Sequence, residues 1–165
     1  MKIALIQQRA SNNKEQNIQN GIIAFRKAVS LGAKIICFSE LAFTPFFPQK
    51  PSNAKANDEA ESIPGQTTEI FSRLAKELNV VVILNLYEKD GVSRYDSSPV
   101  IDADGKILGT TRMIHITDYA CFHEKEYYTP GNSGAPVYKT KYGKIGVAIC
   151  YDRHYPEYMR ALALN

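Results

Sequence analysis

The sequence predicts an α/β fold with a mixed sheet. Three observations carry that expectation. A buried apolar run, an amphipathic segment and a second apolar run follow one another between Lys2 and Ser39, the pattern of a parallel crossover unit. A third β-rich run, VVVILNLY, fills Val80–Tyr87. The Asp-Gly of Asp102–Gly105 then joins Val100–Ile101 to Lys106–Ile116 as a hairpin.

The elements follow in order. Lys2–Gln7 reads as a buried strand, and Asn12 with Glu15 resembles a capping box. Ile18, Ile22, Phe25 and Val29 then recur at helical spacing until Gly32 stops the helix. Lys34–Ser39, KIICFS, is the second strand and ends at Glu40. Leu41–Gln66 is irregular, holding Pro45, Pro48, Pro51 and Pro64 among Phe43, Phe46 and Phe47; a loop of that length is usually functional or mobile. Thr67 opens a second helix with Ile70, Phe71, Leu74 and Leu78 on one side. A second irregular stretch covers Thr117–Asn132, including Pro130–Gly131. Ala135–Tyr138 and Lys144–Ile149 read as strands joined through Tyr142–Gly143. Pro156–Leu164 is helical, with Pro156 at the first position and Glu157 at the positive end of the dipole. The chain stops soon after that helix begins, so a fragment cut after residue 165 is expected, one domain incomplete at its C-terminus.

With 44% hydrophobic and 22% charged residues, the composition is that of an ordinary globular protein. The net charge of +3 is spread along the chain, with no basic run to suggest nucleic-acid binding. No apolar stretch is long enough to span a bilayer, and MKIALIQQRAS lacks the features of a signal peptide, so a cytoplasmic protein is expected. Cys37, Cys121 and Cys150 are odd in number and have no metal-ligand spacing, which fits reduced thiols.

The strongest local signal is GVAICYDR, Gly146–Arg153. A strand that ends in Cys150 shortly before a helix resembles a nucleophile elbow, with Tyr151 N–H a candidate oxyanion donor. A buried structural thiol is the competing reading. Glu40, at the end of a parallel strand, would share that sheet edge and could act as general base; equally it could be a cap or a surface carboxylate. Glu124, between His123 and Lys125, is by itself a surface residue. His115, His123 and His154 are too dispersed for a metal site.

Glu40 after a buried strand, His115 before a long loop, FHEKEYYTPG and GVAICYDRHYPE together resemble the nitrilase superfamily of carbon–nitrogen hydrolases, from Lys2 to the last residue. The resemblance implies a four-layer αββα sandwich of which only the N-terminal part is present, homo-oligomers when full length, and a small-molecule amide or carbamoyl substrate. It implies no cofactor or metal, and the charge pattern and hydropathy give no nucleic-acid or membrane partner. It matches Cys150 to the nucleophile, Glu40 to the general base and Glu124 to the second glutamate. It also exposes a departure: the family's lysine position, two residues before His115, holds Met113. Arg112 is adjacent but would alternate to the other face of a strand, and Lys125 lies in the second loop. Losing one oxyanion donor typically costs about two to three orders of magnitude in rate.

The implied chemistry is hydrolysis of an amide or N-carbamoyl amine through a cysteine thioester, in preference to nitrile hydrolysis. A non-catalytic binding protein on the same scaffold is the alternative, and Met113 is its best support. A redox-sensing thiol is disfavoured for want of a Cys-x-x-Cys pair. The aromatic residues of Phe43–Pro64 either line the substrate site or pack on the fold, with Tyr119, Tyr127 and Tyr128 possible contributors from the second loop. Asp152 and Arg153 are expected to be structural, pairing near the elbow and tying the last helix to the loop.

Overall fold

A computed structural model describes residues 1–52 and 59–165. The part of the first irregular loop that falls on 53–58 lies outside the described residues. The element order is β1 (Lys2–Ile6), α1 (Lys14–Ser30), β2 (Ala33–Phe38), α2 (Gln66–Leu78), β3 (Val81–Ile83), β4 (Leu86–Asp90), β5 (Ser93–Ile101), β6 (Ile107–Arg112), β7 (Val137–Thr140), β8 (Gly143–Gly146) and α3 (Pro156–Leu164), with short 3₁₀ turns between them.

β1, β2 and β3 pair in parallel, as the crossover pattern requires. β5 runs antiparallel to β3 and β4 along one edge and to β6 along the other, so the six-stranded sheet is mixed. Val82 faces Ile101 and Leu86 faces Ser97 in one unbroken register, so the predicted third strand is a single run interrupted at Leu84–Asn85. The β4–β5 turn at Gly91, with φ of 57°, and the length of β5 through Pro99 escaped the sequence reading.

Alternation along the strands divides the apolar residues between two faces. Ile36, Phe38, Val82 and Leu84 meet Ile18 and Phe25 of α1 and Phe71, Leu74 and Ala75 of α2. Ile35, Val81, Ile83 and Val100 on the other face meet Tyr138, Tyr142, Ile145 and Val147 in and beside the two-stranded β7–β8 sheet. α3 closes the outer side: a Cβ on Gly146 would stand 3.0 Å from Leu162, and Tyr158 donates its hydroxyl to the Val147 carbonyl at 3.1 Å. The layers are helix, sheet, sheet, helix, the expected αββα order.

Three local expectations need correction. The N-cap of α1 is Asn13, whose Oδ1 accepts from Gln16 N–H at 2.8 Å; a one-residue shift at a helix end is within the reach of propensity alone. β1 is buried on one face only, through part-buried Ala4 and buried Ile6, and as the edge strand leaves Ile3 56% and Leu5 80% exposed on the other. The strand before the elbow ends at Gly146, and 147–149 continue in extended form without ladder bonds. Among the described residues, no helix is long and apolar enough to cross a membrane.

Candidate active site

Glu40 follows β2 at the carboxyl edge of the parallel strands. The chain must turn sharply there, and Leu41 adopts φ of 45°, a conformation that side chains disfavour. Side chains hold it in place. Asn85, at the interruption between β3 and β4, accepts the Leu41 N–H at 2.8 Å, and Gln8 donates to the Ala42 carbonyl at 2.9 Å. Glu40 also lines an open groove of about 370 Å³ with Gln7, Ser39 and Phe46.

Glu124 begins a 3₁₀ turn, Glu124–Glu126, and is fully buried. Its Oε2 accepts the Thr117 N–H at 3.1 Å, which closes the second irregular loop on itself. That loop docks on the first through His123 N–H to the Pro48 carbonyl at 2.8 Å and the Tyr127 hydroxyl to the Lys50 carbonyl at 2.9 Å. Burial raises the Glu124 carboxyl above its usual range, partly opposed by the Thr117 bond.

Cys150 opens the 3₁₀ turn Cys150–His154 with φ of 45°. The strained backbone aims the thiol at the two glutamates: Sγ and one oxygen of each of Glu40 and Glu124 all lie within 4.8 Å of one another. Burial pushes the thiol well above its ordinary value, and Glu40, Glu124 and Asp96 push it further. Cys150 and Tyr151 stand at the start of the 3₁₀ turn, where N–H groups have no acceptor within the turn.

The elbow is tied down by Asp152, which is fully buried. It does not pair with Arg153, as expected from sequence, but accepts from His115 N–H at 2.9 Å and stands 2.6 Å from His115 Nδ1. Arg153 instead donates to the Cys150 carbonyl at 3.1 Å. The pairing reaches across the fold because a carboxylate with no exposure needs donors, and the chain leaving β6 presents two N–H groups to it.

Two members of the cluster escaped the sequence reading. Asp96, 1% exposed, sits on β5 against Glu40, and Asn85 donates to both Asp96 and Ser98. Burial, first, and then the neighbouring Glu40 raise Asp96 well above the carboxylate range. A polar run such as Tyr95–Ser98 inside an apolar strand was the available signal. Oε1 of Glu40, Oδ2 of Asp96 and Oε1 of Glu124 are buried and without a fixed donor among the described residues.

Met113 is fully buried and packs with Leu41, Tyr87, Tyr127, Tyr128 and Ile149, a cluster that Cys150 adjoins. Arg112 does alternate away: its guanidinium forks onto Glu88, reaches Asp90 at 2.8 Å and lies 3.9 Å over the Tyr95 ring. Lys125 is exposed. Phe43 belongs to the core, Phe47 packs on Tyr87 and Tyr127, and Phe46 reaches the Glu40 groove, so the first loop's aromatic residues divide between the two roles weighed for them. Of the tyrosines in the second loop, Tyr127 and Tyr128 are buried and Tyr119 is 52% exposed. Glu40, Glu124 and Cys150 offer the donor types of a metal site. Ligands on one zinc ion would draw in to roughly 3.5 Å from each other.

The arrangement suits a thiol adding to a carbon centre with a carboxylate taking its proton. The carbon–nitrogen hydrolase family profile matches residues 2–165. A citrullinase of Francisella tularensis subsp. tularensis is 37% identical over all of this chain and 58% of its own length. An N-carbamoylputrescine amidase of Solanum lycopersicum is 37% identical over 99% of this chain and 54% of its own. The crystal structure of a carbon–nitrogen hydrolase from Helicobacter pylori G27 superposes with a TM-score of 0.91 at 31% identity, over 98% of this chain and 56% of that one. The chain thus spans about half the length of the curated relatives it matches.

Proposed function

Because the chain belongs to the carbon–nitrogen hydrolase family, we propose that Cys150 is the nucleophile of a hydrolase that cleaves a non-peptide C–N bond in an amide or N-carbamoyl amine. Glu40 is the general base and Glu124 the second glutamate. The observation that carries this reading is the convergence of the three side chains within 4.8 Å, from segments far apart in sequence.

Glu40 takes the thiol proton as sulfur adds to the carbonyl carbon, because a thiol held above its ordinary value does not ionise unaided at neutral pH. Protonated Glu40 then gives that proton to the leaving nitrogen, and the same carboxylate activates water to cleave the thioester. Asp96 supports Glu40 from behind, and Glu124 is fixed by Thr117. The N–H of Tyr151 is the proposed oxyanion donor. The names of the similar proteins favour the N-carbamoyl branch. A cytoplasmic, homo-oligomeric protein is part of the same reading.

Cys150→Ala in the full-length protein is expected to abolish ammonia release across a panel of amides and N-carbamoyl amines. An unchanged rate would remove the mechanism. Met113 favours a second reading, a non-catalytic scaffold; there Cys150 would alkylate with iodoacetamide no faster than half-buried Cys37.

A further inference from the structure

We propose that, beyond amides and N-carbamoyl amines and in preference to them, this site takes a substrate whose scissile carbon is itself cationic, a guanidinium or an amidinium; the proposal rests on the reading of Cys150 as nucleophile. The groups that surround the thiol are carboxylates: Glu40 and Glu124 within 4.8 Å, with Asp96 against Glu40. The family's lysine position is filled by the buried thioether of Met113. Arg112 is committed to Glu88 and Asp90, and Lys125 is exposed. A neutral amide would develop an oxyanion beside these carboxylates with only the proposed Tyr151 N–H to hold it, and like charges repel. A guanidinium develops none, because addition of the thiolate neutralises it.

The unsatisfied oxygens give the cation its partners. Glu124 is 0% and Asp96 1% exposed, yet Glu124 Oε1 and Asp96 Oδ2 have no donor among the described residues, and Glu40 Oε1 is in the same condition. Acceptors arranged around one cationic nitrogen at hydrogen-bond length sit roughly 4.6 Å apart, and one oxygen of Glu40 lies within 4.8 Å of one of Glu124. A guanidinium brings several N–H donors in a planar fork suited to carboxylates. Its charge also offsets the field that, together with burial, holds the proton on Cys150.

The steps balance. Cys150 Sγ bonds to the guanidinium carbon as its proton passes to Glu40, giving a neutral tetrahedral adduct. One C–N bond breaks, the nitrogen leaves as ammonia with the proton from Glu40, and a cationic thiouronium remains on sulfur. Water, giving a proton to Glu40, adds to that carbon. The C–S bond then breaks, Cys150 regains its proton, and the hydroxyl proton leaves to ammonia. A guanidinium and water become a ureido compound and ammonium, with nothing oxidised or reduced.

The test is affinity labelling of the full-length protein with 2-chloroacetamidine, a cation, against the near-isosteric neutral 2-chloroacetamide. Rates at Cys150 are read by mass spectrometry and each is normalised to exposed Cys121. The amidine should win at Cys150 by at least about tenfold, a modest fraction of the Coulomb attraction available at this range. Glu124→Gln should shrink that preference, and Met113→Lys should reverse it. Normalised rates within about twofold in the unaltered protein, or an amide preference, overturn the proposal. If the amide labels Cys150 faster than Cys121 and Glu40→Gln slows it, the hydrolase reading survives that loss. If neither reagent outpaces Cys121, both readings fall.

Discussion

Asp152→Ala offers a quantitative check on how the elbow is held. The carboxylate has no exposure, accepts the His115 N–H at 2.9 Å and lies 2.6 Å from His115 Nδ1, with Ile114 N–H farther off at 3.3 Å. Hydrogen bonds to a charged group contribute about 1.5–3 kcal/mol each. Two good ones, discounted because the His115 ring is partly exposed, give a loss of roughly 3 kcal/mol. With a urea slope of about 2 kcal/mol per molar, the unfolding midpoint should fall by about 1.5 M at unchanged slope. Both His115 contacts fall on Oδ1, so Asp152→Asn keeps that acceptor and loses only the charge, and about half of that loss is expected. The same substitutions should slow Cys150 alkylation, because the side-chain tie to His115 holds the 3₁₀ turn that Cys150 opens. A midpoint shift under about 0.3 M for the alanine variant would refute the assignment of Asp152 as the tie between elbow and sheet.

Further predictions concern charge. Removing the Glu40 charge lowers the Cys150 thiol, since that carboxylate helps to raise it. Glu40→Gln should therefore alkylate at least as fast as the unaltered protein above about pH 9, yet more slowly below about pH 7, where a base is needed. Acceleration at every pH would eliminate the base role. Arg112→Met strands Glu88, which is only 4% exposed, and should cost about 3–5 kcal/mol in urea unfolding. Arg112→Lys keeps the charge but loses the fork and the stack on Tyr95, and should cost about 1–2 kcal/mol; equal losses for the two variants would contradict the geometry.

The fold was legible where period and punctuation agree. Ile18, Ile22, Phe25 and Val29 marked α1, Gly32 at φ of 89° ended it, and Pro156 opened α3. Burial of β1 was misread because an apolar strand looks the same at a sheet edge as inside one. The interruption at Leu84–Asn85 was invisible because Asn85 serves a tertiary partner, the N–H of Leu41. Likewise Asp96 is a polar residue in a strand until Glu40 is placed beside it. Glu124 looked like surface on its own residues, and only the resemblance marked it; its burial depends on Thr117 and on the docking of one loop upon the other.

What sequence order conceals most is which charges share a space. Arg112 adjoins Met113 in the chain, and that adjacency is what keeps its charge away from the thiol. On β6 and its continuation, neighbouring side chains leave on opposite faces. Arg112 therefore meets Glu88, Asp90 and Tyr95, while Met113 packs in the tyrosine cluster beside Cys150. Lys125 follows Glu124 directly, but the turn that buries Glu124 leaves Lys125 in solvent. Restoring a cation to the pocket thus takes a substitution at Met113 itself or a cation carried in by the substrate. Adding a lysine at Arg112 would leave the carboxylates around Cys150 as they are, because that position faces Glu88 and Asp90.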